Sequence, residues 1–154
     1  MTSGVVTLTT TGTGSAGNLV VGNIITTGAS AAASSDGQGG NAGNITLTAS
    51  GSSLTVSGAI GARAGAADGS GAAGIDGTVK LIAAAGQVLQ ANGSGTNAIN
   101  AGGLLVDAGL AVTLLDTGNN ISRLSGRVSG TGEEFKFASS NAFAINGGTA
   151  ATMG

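Results

Sequence analysis

Seven acidic and five basic side chains carry all the charge of this 154-residue chain, which has no His, Cys or Tyr. Imidazole and thiolate chemistry is therefore absent, and with it the usual nucleophile–base pairs and most transition-metal sites. The carboxylates are Asp36, Asp68, Asp76, Asp107, Asp116, Glu133 and Glu134. Glycoside hydrolysis would need two of them facing one cleft about 5–9 Å apart. Glu133 and Glu134 are adjacent, so in a strand they point to opposite faces. Glu134 and Lys136 share a face and are expected to form a weak surface pair. Asp107 and Asp116 each abut a Gly-containing turn. Asp68 and Asp76 lie in a Gly/Ala-rich stretch that superficially resembles Gly/Asp calcium repeats, but the nonapeptide spacing is not kept. Solvated loop acids are the expectation, with no metal, no catalytic residue and no enzymatic activity.

Gly12-Thr-Gly14-Ser-Ala-Gly17 matches GxGxxG after a strand-like run, and Asp36 follows at the spacing of a dinucleotide fingerprint. In a chain with 31 Gly such matches arise from composition, and Gly69-Ser-Gly71-Ala-Ala-Gly74 is a second one. The fingerprint works only when a helix N-terminus holds the pyrophosphate. The segment that follows, GNLVVGNIITTG, has the pattern of a strand, so no cofactor is expected.

Two surface features remain. Arg123 and Arg127 flank Ser125 at even spacing, so one strand would project both as a candidate contact for an anionic glycan. Thr7/Thr9 and Thr46/Thr48 occupy matching repeat positions on an outward face, and Thr11/Thr13 extend the first pair. Regular outward Thr-x-Thr suggests an ice-binding solenoid as an alternative, although Lys80 and Ile82 occupy the next copy and Thr is in any case a good strand residue. Asn44, Asn92 and Asn120 lie in Asn-x-Ser/Thr sequons, open to glycosylation.

The elements that must carry these residues are strands. Gly interrupts nearly every stretch of six to ten residues, and each Gly costs a helix interior about 1 kcal/mol relative to Ala. Alternation of apolar with small or hydroxyl residues recurs instead, in Val6-Thr7-Leu8-Thr9, Ile45-Thr46-Leu47-Thr48, Val79-Lys80-Leu81, Val112-Thr113-Leu114, Phe135-Lys136-Phe137 and Phe143-Ala144-Ile145. Period two over short runs bounded by Gly, Asn and Ser is the half-buried strand pattern. The runs also repeat. Gly43–Ala49 aligns with Gly77–Ala83, Leu54 with Val88, Gly4–Leu8 with Gly43–Leu47, and Leu19, Val21 and Ile25 with Leu54, Val56 and Ile60. Self-similarity over tens of residues is the mark of a solenoid. Residues 28–43 and 61–77 hold almost no large apolar side chain and are expected to be loop insertions at one edge of a single segment spanning 1–154. The fold expected is all-β, a right-handed parallel β-helix (β-solenoid). About 20 residues per rung outside the insertions gives roughly six rungs and a rod about 30 Å long. Such a fold needs only a narrow core, which suits a chain with 12 Leu, 9 Ile, 10 Val and 3 Phe. Phe135, Phe137 and Phe143 are placed in that core near its C-terminal end. Asn18, Asn44, Asn97, Asn100, Asn119 and Asn120 are placed at corners, in left-handed backbone or bonding along the stack.

A net charge of −2 gives no electrostatic reason to bind nucleic acid. No run reaches the roughly 20 apolar residues of a membrane span, and no signal-peptide pattern opens the chain.

From Gly103 to Gly126 the sequence GLLVDAGLAVTLLDTGNNISRLSG resembles the haemagglutinin-like repeats of large bacterial exoproteins. So do Val128–Gly132, Phe135–Phe137, Ala142–Gly147 and the earlier GNITLTASGSSLTVSGAI. That family takes in filamentous haemagglutinins, two-partner-secreted adhesins and autotransporter passenger stalks. The resemblance implies a right-handed β-helix, an internal excerpt of a much larger parent, and a secreted or outer-surface location on a Gram-negative bacterium. Its implied role is structural: a stalk presenting or mediating adhesion to host or neighbouring-cell glycans or proteins. The missing Cys fits export in an unfolded state. Because polysaccharide lyases share the β-helix, a carbohydrate-active enzyme is the alternative from another class. Open end rungs also predict end-to-end self-association.

Overall fold

The computed structural model describes residues 3–33, 36–91 and 95–146. Within them the chain is β throughout, apart from one 3-10 turn at Gly14–Gly17. The strands are β1 (Val6–Thr13), β2 (Leu19–Val21), β3 (Ile24–Ile25), β4 (Ile45–Gly51), β5 (Leu54–Val56), β6 (Ile60–Ala62), β7 (Thr78–Ala83), β8 (Val88–Gln90), β9 (Ile99–Ala108), β10 (Val112–Leu114), β11 (Asn120–Val128), β12 (Phe135–Phe137) and β13 (Ala144–Ile145). All pairings between them are parallel.

Parallel strands need a crossover between partners, and here the chain supplies it by alternating between two sheets. An eight-stranded sheet runs β1-β4-β7-β9-β11-β13, with β3 and β6 joined to it through β9, and a five-stranded sheet runs β2-β5-β8-β10-β12. The pairing register follows most of the sequence repeats. Ile45 to Thr48 lie beside Val79 to Ile82, Leu54 beside Val88, and Val6 beside Ile45. One alignment shifts by a residue: Ile24, not Ile25, pairs with Ile60. The corner before Ile60 is one residue longer than the corner before Ile24, so Ile24 packs on the core and Ile25 is turned outward, 59% exposed.

Alternation does the packing. Ile45, Val79 and Leu104 stack at one inward position, and Leu47, Leu81 and Val106 at the next, all buried. Leu54, Val88 and Val112 form the matching column of the five-stranded sheet. At the C-terminal end Phe135 lies beside Val112 and Phe137 beside Leu114. Phe137 meets Phe143 edge-on at 5.2 Å between ring centroids. The three rings pack against the core while remaining partly exposed. A Cβ on Gly126 would come within 2.3 Å of the Phe135 ring, so this glycine makes room for it.

The insertions differ from free loops. The second begins at Arg63, because Gly61 and Ala62 belong to β6. Ala62 pairs with Ala101 and Thr78 with Gly103, so the whole excursion opens at the single position that Gly102 fills in the continuous strand β9. The two insertions lie on one another. Gly28 N–H donates to Arg63 O (2.9 Å), Ala31 to Ala66 (2.9 Å), Gly39 to Ala72 (3.0 Å) and Ala42 to Ile75 (2.9 Å). Glycine is required here by space: a Cβ at Gly65 would sit 1.9 Å from Ala29 O, and one at Gly74 2.0 Å from Gly40 O.

The corner asparagines bond along the stack as expected, but not from left-handed backbone. Among the described residues no non-glycine has positive φ, so left-handed backbone is not their role. Their side chains instead bond to the next stretch of the stack. Asn44 Oδ1 accepts from Thr78 N–H (2.8 Å), Asn41 Oδ1 from Ile75 N–H (2.8 Å) and Asn23 Oδ1 from Ala59 N–H (2.8 Å). Asn18 Oδ1 accepts from the Ser52 hydroxyl (2.5 Å). Each of these bonds crosses to the neighbouring stretch of the stack, and Asn100 lies beside Asn120 in the register of β9 and β11.

Candidate functional site

The outward face of the larger sheet carries most of the residues that the sequence singles out. Thr7 lies beside Thr46 and Thr9 beside Thr48. The rows then continue through Lys80, Leu105 and Ser125, and through Ile82, Asp107 and Arg127. The threonine array is therefore two strands wide, and beyond it the face becomes charged and aliphatic.

Arg123 and Arg127 both project outward from β11, as their spacing predicts, but they differ in setting. Arg127 grips Asp107 through two bonds, Nε to Oδ1 at 3.0 Å and Nη2 to Oδ2 at 2.8 Å. That hydrogen bond, and then the charge of Asp107, raise the Arg127 pKa above its ordinary value. Arg123 is exposed between Gly103 and Ala144, positions with little or no side chain. The pair does not form one cationic fork, since a carboxylate already occupies half of it.

Most of the remaining acids are held by nearby partners. Glu134 and Lys136 make the expected surface pair at 2.6 Å. Asp36 accepts from the Ser70 hydroxyl, which ties the tips of the two insertions. Asp76 accepts from Arg63 Nη1 (2.6 Å) and from Ala64 N–H (2.7 Å). Among the described residues no three His, Cys, Asp or Glu gather closely enough to hold a metal ion. The GxGxxG segment closes a turn. A Cβ on Gly17 would lie 1.9 Å from Gly12 O, and the chain passes from the 3-10 turn directly into β2.

Two polar clusters escaped the sequence analysis. In the first, Arg63 at the start of the second insertion bonds Asp76 near its end and reaches across to Asn120 O (2.6 Å) and Oδ1 (2.5 Å). One guanidinium thus clamps both limbs of the excursion to β11. In the second, Gln90, Asp116 and Asn119 are buried together. Gln90 and Asn119 exchange reciprocal amide bonds, Nε2 to Oδ1 at 2.8 Å and Nδ2 to Oε1 at 3.0 Å. Asp116 accepts from the backbone N–H groups of Gly95, Asn97 and Gly118 (2.9, 3.1 and 2.8 Å). Every buried side-chain polar atom among the described residues is bonded. The signal was present in the alternation, which places Gln90 inward two residues after Val88.

Of the sequons, Asn44 and Asn120 have their side-chain oxygens engaged by Thr78 and Arg63, and Asn92 lies outside the described residues. Among the described residues no helix is long and apolar enough to cross a membrane. No protein-family model matches the chain, and neither a curated protein nor a solved structure does.

Proposed function

We propose that the chain is a right-handed parallel β-solenoid that serves as a stalk segment of a secreted or surface-anchored bacterial exoprotein of the haemagglutinin-like kind. In that role it holds an adhesive surface away from the cell. Six strands stack in one column and five in the other, which is what five turns and the opening strand of another would give. The handedness follows the strong preference of parallel crossover connections for the right hand. One observation carries the mechanical reading: the columns Ile45–Val79–Leu104, Leu47–Leu81–Val106 and Leu54–Val88–Val112 are aliphatic and buried from β4 to β10, while corner polar groups bond the next turn. A rod built this way resists bending because every turn is fastened to the next by core, ladder and corner side chains together. The outward face bearing Arg123, Thr46 and Thr48 is then the surface offered to neighbouring cells.

Excising one repeat tests the reading. Ile45 and Val79 are register partners, so deletion of residues 45–78 joins Asn44 to Val79 with the stack preserved. The shortened protein should keep its β circular-dichroism spectrum, and cells displaying the parent should keep adhering. An antibody against the outward face should label intact cells. Staining only after permeabilisation, or loss of a chemical activity on changing a single acidic residue, would overturn the proposal.

A further inference from the structure

Charge is not spread evenly over this chain. The outward face of β7, β9 and β11 carries three of the five cations, Lys80, Arg123 and Arg127, and one of the seven acids, Asp107. The other six acids lie in the insertions, at the buried corner and just before β12. A face that served only solubility would intersperse the two signs and not separate them. Two of the three cations are also uncommitted. Arg63, Arg127 and Lys136 are ion-paired, whereas Lys80 and Arg123 take part in no ion pair among the described residues.

Between these two the sheet is low. Gly103 lies between Thr78 and Arg123 in the register, and Lys80 pairs with Leu105 one outward step further along. Neither backbone nor packing requires glycine at this position. Its φ is not positive, and a Cβ there would make only ordinary contact with Thr78, at 3.4 Å. What glycine leaves is a floor of bare backbone beside the Thr78 hydroxyl. Two strand spacings and two residue steps separate the Cα atoms of Lys80 and Arg123, about 12 Å on the diagonal. The midpoint of that diagonal falls on β9 between Gly103 and Leu105.

We propose that this floor binds an acidic polysaccharide with a carboxylate on alternate sugars, one met by Lys80 and the next by Arg123. Charge complementarity selects a polyanion, and the rest of the face selects which kind. Its three aromatic rings pack against the core, so nothing on this face stacks bases as single-strand binders do. A polymer charged on every ring would set a carboxylate over Leu105 with Asp107 two residues away. Alternate charge places an uncharged ring there instead, against Gly103 and the Thr78 hydroxyl. The inference rests on reading this face as the one the stalk offers outward. Its test uses the isolated chain, so a failure of binding leaves the excision experiment to judge the stalk by itself.

The experiment is an amide chemical-shift titration of the 154-residue chain with a hyaluronate oligosaccharide, in which carboxylates alternate with uncharged rings. The amides of Gly103, Leu105 and Arg123 should shift and saturate with Kd of about 1 mM at low salt, as two charged contacts supply. Lys80→Gln and Arg123→Gln should each raise Kd at least about fivefold, and both, being outward substitutions, should keep the parent β spectrum. Asp107→Asn should lower Kd by several-fold, because it releases the Arg127 guanidinium to the ligand. Lys136→Gln, on the other sheet, should change nothing. Absence of saturable shifts on β9 and β11, or a Kd that neither Lys80→Gln nor Arg123→Gln moves, would overturn the proposal. So would equal or tighter binding of polygalacturonate, charged on every ring, or of a single-stranded oligonucleotide.

Discussion

Replacing Asn119 by Ala tests whether the buried corner network holds the stack or merely accompanies it. Asn119 is fully buried. Its Oδ1 accepts from Gln90 Nε2 and from Ile99 N–H, both at 2.8 Å, and its Nδ2 donates to Gln90 Oε1 (3.0 Å) and Ala138 O (3.1 Å). Truncation leaves Gln90 partly provided for, because Asn97 O and Asp116 N–H still bond its amide. Ile99 N–H and Ala138 O lose their bonds to the side chain. At about 1–3 kcal/mol for a buried group left unsatisfied, the buried Ile99 N–H sets most of the loss and the half-buried Ala138 O adds less, together roughly 3 kcal/mol. That is a large share of the 5–15 kcal/mol typical of a folded chain. Asn141 is the control: its Nδ2 donates to Ile121 O (3.1 Å) from an exposed position, where water replaces the partner, so Asn141→Ala should cost less than about 1 kcal/mol. Urea titrations of the three proteins, followed by circular dichroism, give the differences through linear extrapolation. A loss at Asn119 no greater than that at Asn141 would refute the reasoning, for it would mean that water satisfies the corner as well as the amide does.

Gly126→Ala should destabilise by about 1–2 kcal/mol through collision with the Phe135 ring, and the penalty should largely vanish in a Phe135→Leu background when a double-mutant cycle is measured by urea unfolding. Arg63→Ala should raise protease sensitivity and amide exchange across residues 63–77 while the strands stay protected, and Arg63→Lys should not restore protection, because an ammonium cannot span Asp76 and Asn120 as the planar fork does. The Arg127–Asp107 pair should add no pH dependence to stability between about pH 6 and 9. Its raised arginine pKa means that its contribution is complete below the unfolded value and is lost only as pH climbs through the still higher folded one, so Asp107→Asn and the parent should give parallel stability–pH curves across that window.

Strands and register were largely legible because they depend on one variable, the alternation of inward and outward side chains. Leu47 over Leu81 and Leu54 over Val88 could be aligned without knowing any distance. The single slip, Ile25 for Ile24, occurred at a corner, where one added residue changes the face of everything after it and no hydrophobic pattern records the addition. The insertions were legible as departures from the pattern but not as structure. What orders residues 28–33, 36–43 and 63–77 is backbone-to-backbone bonding between segments more than thirty positions apart, and the side chains that permit it are the ones with nothing to show. Arg63 and Asp76 were invisible as a pair for a related reason. Their separation reflects the length of an excursion and not the period of a strand, so their meeting depends on the two limbs returning to the same corner. Asn119 and Gln90 lie between these cases. Gln90 announces itself as a polar residue at an inward step, and what completes it is an amide 29 residues away. A repeat pattern therefore locates the columns of a stacked fold, whereas its corners are settled by polar contacts between turns. The corners are where the chemistry peculiar to this chain is found.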